Sequence, residues 1–175
     1  MQPHVLTKLF EFSDQLQDVK MIQCFLGILN YVHKYIPRLS EKTAPIRKHL
    51  HSGWSSEATK AVQLPKAECQ NLPELKPLGN GFLILQTDAT DNFWATVLFK
   101  RKGESQDEVL CAYASGKFLI HQINYFPAKN ETLAIFSGIH KFELYLAPTK
   151  FLIRTVSITF KYLMTTKISK QLSRG

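Results

Sequence analysis

Apolar residues recur at helical spacing over the first third of the chain. Between Asp18 and Tyr35, the residues Val19, Ile22, Phe25, Leu26, Leu29 and Val32 fall on one face, with Ile36 just beyond and Ile28, Tyr31 and Tyr35 widening the stripe. This predicts an amphipathic helix that Pro37 ends. Ahead of it, Val5, Leu6, Leu9, Phe10 and Phe12 predict a short helix or connector, and Ser13-Asp14-Gln15 offers a cap. Ser40-Glu41-Lys42-Thr43 opens a second helix toward His51, with Ile46 and Leu50 inward and Gly53 closing it. A third helix runs from Ala58 to about Gln70 after Trp54 and Ser55-Ser56-Glu57. Pro65 falls inside it, removing a backbone hydrogen bond and crowding the preceding turn at about 3 kcal/mol. The expectation is a helix broken there, or shorter than its pattern.

The pattern changes after Leu72-Pro73-Glu74-Leu75-Lys76-Pro77-Leu78-Gly79. This stretch divides a helical segment, residues 1–78, from a strand-rich segment, 79–175. Phe82-Leu83-Ile84-Leu85-Gln86-Thr87-Asp88 is an apolar run ending in one carboxylate. Such a run reads as a strand buried on both faces. An ionised Asp cannot stay inside without a partner, because its desolvation costs too much. Asp88 therefore belongs at the strand's end, facing a cation or a helix N-terminus. Thr90-Asp91-Asn92 turns the chain into Phe93–Phe99, a hairpin. Val109–Ala114 gives a third strand after the polar loop 101–107. A helix from about Ala128 to Leu146 follows, stopped by Pro148. Phe151–Thr155 is a fourth strand, and Ile158–Leu163 starts another helix. The order implies a mixed α+β fold. Three strands form an antiparallel meander, and the fourth returns parallel to the first through a crossover helix. That connection brings Glu131, in the first turn of the crossover helix, close to Asp88.

Composition alters this picture little. Of 175 residues, 45% are hydrophobic and 21% charged, which is globular. No run of apolar residues is long enough to span a membrane, and Met1-Gln2-Pro3-His4 lacks the basic-then-apolar pattern of a secretory signal. Cys24, Cys69 and Cys111 are odd in number and widely spaced, which fits a reducing, intracellular setting and gives no metal motif. Net charge is +8. From Lys150 onward there are six basic residues and no acidic one. The charge points to a nucleic-acid partner, against the plainer alternative of a soluble basic surface. Lys100-Arg101-Lys102, Lys117 and Lys129 are the candidate phosphate contacts, although a basic loop run is more often a solvated face. His121 and His140 have no ligand spacing, and Trp54 reads as core.

Taken in order, the motifs are Thr87-Asp88-Ala89-Thr90, Phe93-Trp94, Tyr113-Ala114-Ser115-Gly116-Lys117-Phe118, Asn124-Tyr125, Glu131-Thr132-Leu133-Ala134-Ile135, Phe142-Glu143-Leu144-Tyr145-Leu146 and Phe151-Leu152-Ile153-Arg154-Thr155. Together they resemble the ribonuclease H domain of retroelement reverse transcriptases. Phe93-Trp94 and the Tyr-Ala-Ser-Gly-Lys-Phe segment look most like plant pararetroviruses, the caulimovirus group, and their genome-integrated copies. Upstream, Gln2–Leu6, Phe25–Tyr31 and Ile36–Ser40 resemble the thumb-to-connection segment between polymerase and ribonuclease H. The resemblance weakens over residues 60–80 and after 156.

The resemblance implies cleavage of the RNA strand of an RNA–DNA hybrid by two Mg²⁺ ions held among four acids. It maps the first acid to Asp88 and the second to Glu131, both catalytic and metal-binding. The third acid should follow Ile153-Arg154-Thr155, where this chain has Val156, a side chain with no lone pair for a cation. Glu143 is the last acidic residue, so none farther along supplies the fourth. The expectation is an impaired site holding at most one weakly bound Mg²⁺. A non-catalytic nucleic-acid-binding module and an inert retroelement remnant are the alternatives. Two further departures accompany this. Ala95-Thr96 stand where the family usually has two glycines, and no Tyr-x-Asp-Asp polymerase turn is present. The resemblance also makes the fourth strand an exposed edge for want of a fifth.

Overall fold

The computed structural model describes residues 3–16, 18–49, 53–79, 81–101, 107–119 and 127–155. The N-terminal segment is helical: α1 Pro3–Glu11, α2 Val19–Tyr31, a 3₁₀ turn His33–Tyr35, α3 Leu39–Lys42, α4 Ala44–Lys48 and α5 Ser56–Gln70. The cap of α2 is Asp18, whose Oδ1 accepts the Met21 N–H at 2.7 Å. The expected cap residue Asp14 instead pairs with Lys66 of α5 at 2.8 Å. Ile22, Phe25 and Leu29 of α2, then Val32 and Ile36, are buried as the spacing predicts, whereas Val19 is exposed. The predicted second helix is two short ones. Thr43 lies between them, its hydroxyl donating to the Leu39 carbonyl at 2.9 Å, and Pro45 stands in the first turn of α4. The expected inward Leu50 lies outside the described residues.

Helix α5 overturns the expected break at Pro65. It runs unbroken through the proline, whose ring is buried. Ala58, Ala61, Val62, Pro65 and Cys69 form one buried face, so apolar burial of the ring offsets the lost hydrogen bond. Leu9, Phe25, Leu29, Val62 and their neighbours make one core, with Trp54 packed against it.

The second half is a four-stranded sheet in the order β3-β2-β1-β4, with β1 Phe82–Ala89, β2 Phe93–Arg101, β3 Glu108–Lys117 and β4 Phe151–Thr155. The first three strands are antiparallel and β4 runs parallel to β1, pairing Leu83 with Phe151 through to Thr87 with Thr155. Strand β3 extends three residues beyond its predicted end, so Ser115, Gly116 and Lys117 lie in the ladder. Helix α6, Pro127–Lys141, is the crossover element, and α7, Glu143–Leu146, follows a break at Phe142. Because α6 starts at Pro127, Glu131 lies one turn deeper than the first-turn position expected for it. Leu83, Leu85, Leu98 and Leu146 centre a second core. Gly138 of α6 lies over Thr96, where an added Cβ would meet the Thr96 hydroxyl at 3.0 Å.

The linker is tied down. Lys76 N–H donates to the Leu110 carbonyl at 2.9 Å, and Lys100 Nζ donates to the Pro77 carbonyl. Helix α3 also joins the sheet, through the Ser40 N–H and the Ser115 hydroxyl at 3.0 Å. No helix among the described residues is long and apolar enough to cross a membrane.

Candidate functional site

Strand β1 carries Asp88 one residue from its end, and the parallel pairing sets Thr155 beside Thr87. Helix α6 crosses the same end and delivers Glu131 there. The Glu131 carboxylate accepts the Thr155 hydroxyl at 3.2 Å and the Ala89 N–H. Burial pushes the Glu131 carboxyl above its ordinary value, and the Asp88 charge adds to this, against the lowering by the Thr155 and Ala89 donors. The structure therefore brings the two sequence-selected carboxylates into electrostatic contact. Val156 and the residues after it lie outside the described residues. Among the described residues, no group of three or more His, Cys, Asp or Glu side chains gathers as a metal site. The Thr87 hydroxyl and Asn130 Oδ1, each next in sequence to one of the acids, are buried with no hydrogen-bond partner among the described residues.

The raised Glu131 value carries a pH dependence. The protonated carboxyl is the form the fold accommodates better, so its contribution is full below 4.5 and lost as pH rises through the raised value. Glu131→Gln keeps an acceptor for Thr155 and removes the charge. The variant should melt above the wild-type chain at about pH 7, and the gap should close by about pH 4. Paired thermal melts across that range check it, and a gap that widens toward acid would contradict it.

Sequence reasoning missed the residue that meets Asp88. Arg38 Nη2 donates to Asp88 Oδ2, and Arg38 Nη1 lies 3.7 Å from Glu41 Oε2. Arg38 is the single non-glycine residue with positive φ among the described residues, at 52°. Only its position after Pro37 hints at an unusual backbone. Trp94 and Ser115 complete the surroundings of the pair. A second missed contact is the fork from Arg154 to Glu108, at 2.9 and 2.7 Å, which ties the outer strands across the sheet.

The basic candidates separate. Lys117 and Lys129 are exposed. Lys100 is only 5% exposed and holds the linker, so it faces the Pro77 carbonyl rather than solvent. Arg101 covers the Phe82 ring, 5.4 Å from its centroid, and Lys102 lies outside the described residues. Lys117 instead joins Arg47 and Lys48 of α4 around a cleft of about 430 Å³ that includes Ser40, Asn92 and Phe93. The signal for Arg47 and Lys48 was weak, because their neighbourhood depends on α4 docking beside the strand ends. His140 is exposed beside Glu143, and His121 lies outside the described residues.

The family pattern described as the RNase H-like domain found in reverse transcriptase matches residues 80–174. The chain belongs to this family. Its RNase H-like part coincides with the sheet and with α6, the elements that carry Asp88 and Glu131. The "Enzymatic polyprotein" of Cauliflower mosaic virus (strain D/H) is 40% identical over 167 residues, 91% of this chain and 25% of the viral protein. That of Figwort mosaic virus (strain DxS) is 34% identical over 179 residues, covering 99% of this chain and 27% of the relative. The chain thus spans about a quarter of the length of these relatives. A foamy viral protease-reverse transcriptase in complex with RNA/DNA hybrid superposes with a TM-score of 0.77 at 16% identity, covering 97% of this chain and 23% of that one. A second foamy viral structure, in complex with double-stranded DNA, gives 0.78 at 16% identity, over 94% and 30%. These establish a shared fold that includes the helical segment.

Proposed function

We propose that this RNase H-like domain derives from a hybrid-cleaving ancestor and retains little or no cleavage. The observation that carries the reading is the donor set. Asp88 and Glu131 both stand at the end of β1, near enough for the Asp88 charge to act on Glu131, Arg38 engages Asp88, and Val156 follows Thr155 where the resemblance calls for an acid. Where a pair of Mg²⁺ ions is held, it supplies charge neutralisation of the scissile phosphate and activation of the attacking water. A divalent pair needs several anionic oxygens in register. Two carboxylates, one ion-paired and the other made harder to ionise by burial, do not fit it. What remains for this chain's own residues is to neutralise phosphate charge without breaking the ester.

The Arg47–Lys48–Lys117 cleft favours a second reading, in which the chain binds nucleic acid without cutting it. Three cations around a recess that contains Phe93 suit a phosphate backbone with an adjacent base. The RNA/DNA hybrid held by the foamy viral relative of this fold names the class of partner to test first.

One experiment addresses both. The chain is incubated with labelled RNA–DNA hybrid in Mg²⁺ or Mn²⁺ beside Asp88→Asn, and binding is titrated with salt for the wild type and for Arg47→Ala/Lys117→Ala. We expect no cleavage above the Asp88→Asn background. Binding should weaken with salt, and the double variant should lower the log–log slope by about 2. Robust cleavage abolished by Asp88→Asn would overturn the first reading, and an unchanged slope the second.

A further inference from the structure

We infer that the Arg38 guanidinium is the resident cation of the Asp88 site, so that this site binds the helical segment in place of a metal ion. The inference rests on the reading of Asp88 as an ancestral metal ligand. Asp88 ends a buried strand with its side chain 40% exposed, so its carboxylate is open to a cation arriving from outside the sheet. Divalent ions and guanidinium groups compete for the same carboxylate lone pairs, and a planar guanidinium suits carboxylate geometry well. Arg38 Nη2 already donates to Asp88 Oδ2 across 50 residues of sequence.

The backbone supports this placement. Arg38 adopts the left-handed conformation immediately before α3, a state that costs most non-glycine residues energy and persists where surroundings enforce it. Two residues later, the Ser40 N–H is anchored to the Ser115 hydroxyl at 3.0 Å, fixing the start of α3 against β3. Glu41, 3.7 Å from the other guanidinium nitrogen, holds the group from the α3 side. Arg38 is thus the bridge between Glu41 of the helical segment and Asp88 of the sheet. Both Arg38 and Asp88 side chains remain partly exposed, 44% and 40%, so the pair adds little to stability. Its consequence is occupancy: a cation approaching Asp88 meets a fixed positive charge there, and removing that charge should raise divalent affinity about tenfold.

The test titrates Mn²⁺ into the full chain and follows free Mn²⁺ by electron paramagnetic resonance. Arg38→Asn is the main variant, because asparagine tolerates the left-handed backbone. Arg38→Lys keeps the charge, and Arg38→Asn/Asp88→Asn removes the carboxylate as well. Far-ultraviolet circular dichroism checks that each variant is folded. Arg38→Asn should bind Mn²⁺ at least about tenfold more tightly than wild type, Arg38→Lys should stay close to wild type, and the double variant should lose the gain. Equal Mn²⁺ affinity in the wild type and Arg38→Asn overturns the inference. If both bind poorly, Asp88 is no latent metal ligand, but the impaired-nuclease reading survives. If both bind two ions tightly, that reading falls too.

Discussion

Phe25→Ala should lower the melting temperature by about 10 °C, the largest effect of any single truncation outside the site. Phe25 is fully buried at the centre of the helical core, among Leu9, Ile22, Leu29 and Val62. Its ring meets Phe12 edge to face, with centroids 5.6 Å apart. Truncation removes the transfer energy of the ring, leaves a cavity and breaks the aromatic pair, about 3–5 kcal/mol in all. A chain of ordinary stability has about 5–15 kcal/mol to lose. Phe136→Ala is the matched control, because Phe136 is 66% exposed and its loss should stay within about 0.5 kcal/mol. Thermal melts of the two variants decide it: a similar small shift in both would mean that the helices do not share a packed core.

Gly138→Thr should destabilise the chain by about 2 kcal/mol, and Thr96→Gly should cost much less in that background than in the wild type. An ideal Cβ on Gly138 would lie 3.0 Å from the Thr96 hydroxyl, 3.3 Å from its Cβ and 3.5 Å from the Leu85 methyl. A β-branched side chain there pushes α6 off the sheet. Thr96 is 2% exposed, and its hydroxyl donates to the Gln86 carbonyl at 3.0 Å. Thr96→Gly alone therefore loses a buried hydrogen bond and opens a void. The two changes together exchange the bulk across the interface, so the double-mutant cycle should show a favourable coupling of about 1–2 kcal/mol. Urea denaturation of the four proteins measures it, and additivity within about 0.3 kcal/mol would refute the pairing. The resemblance puts a glycine where Thr96 stands. Gly138 explains how this chain accepts the larger residue.

The strands and the long helices were legible in the sequence because each follows one period. The fourth strand starts at Phe151 as predicted, and the apolar run before Asp88 made β1 and the carboxylate at its end readable. Helix α5 was misjudged because local propensity counts the lost hydrogen bond of Pro65 and cannot see the core that receives its ring. The cap of α2 was misplaced because Ser13-Asp14 and Asp18 both satisfy the local rule, and it is Lys66 and Gln63 on a distant helix that draw Asp14 away. The proximity of Asp88 and Glu131 followed from strand order alone. Arg38 did not, since nothing within its own neighbourhood encodes a partner 50 residues away. Lys100 shows the opposite failure: it stands in a basic run, yet its position on β2 turns it to the linker.

The ties on that linker govern how force travels through the chain. Lys76 and Lys100 fasten it to the sheet, while Ser40 fastens α3 to β3 some distance away. With attachments at separate points, a torque applied to the helices is delivered to the strands instead of being dissipated in slack polypeptide. Any load taken up by the helices would therefore arrive at β3 through Ser40 and at β2 through Lys100.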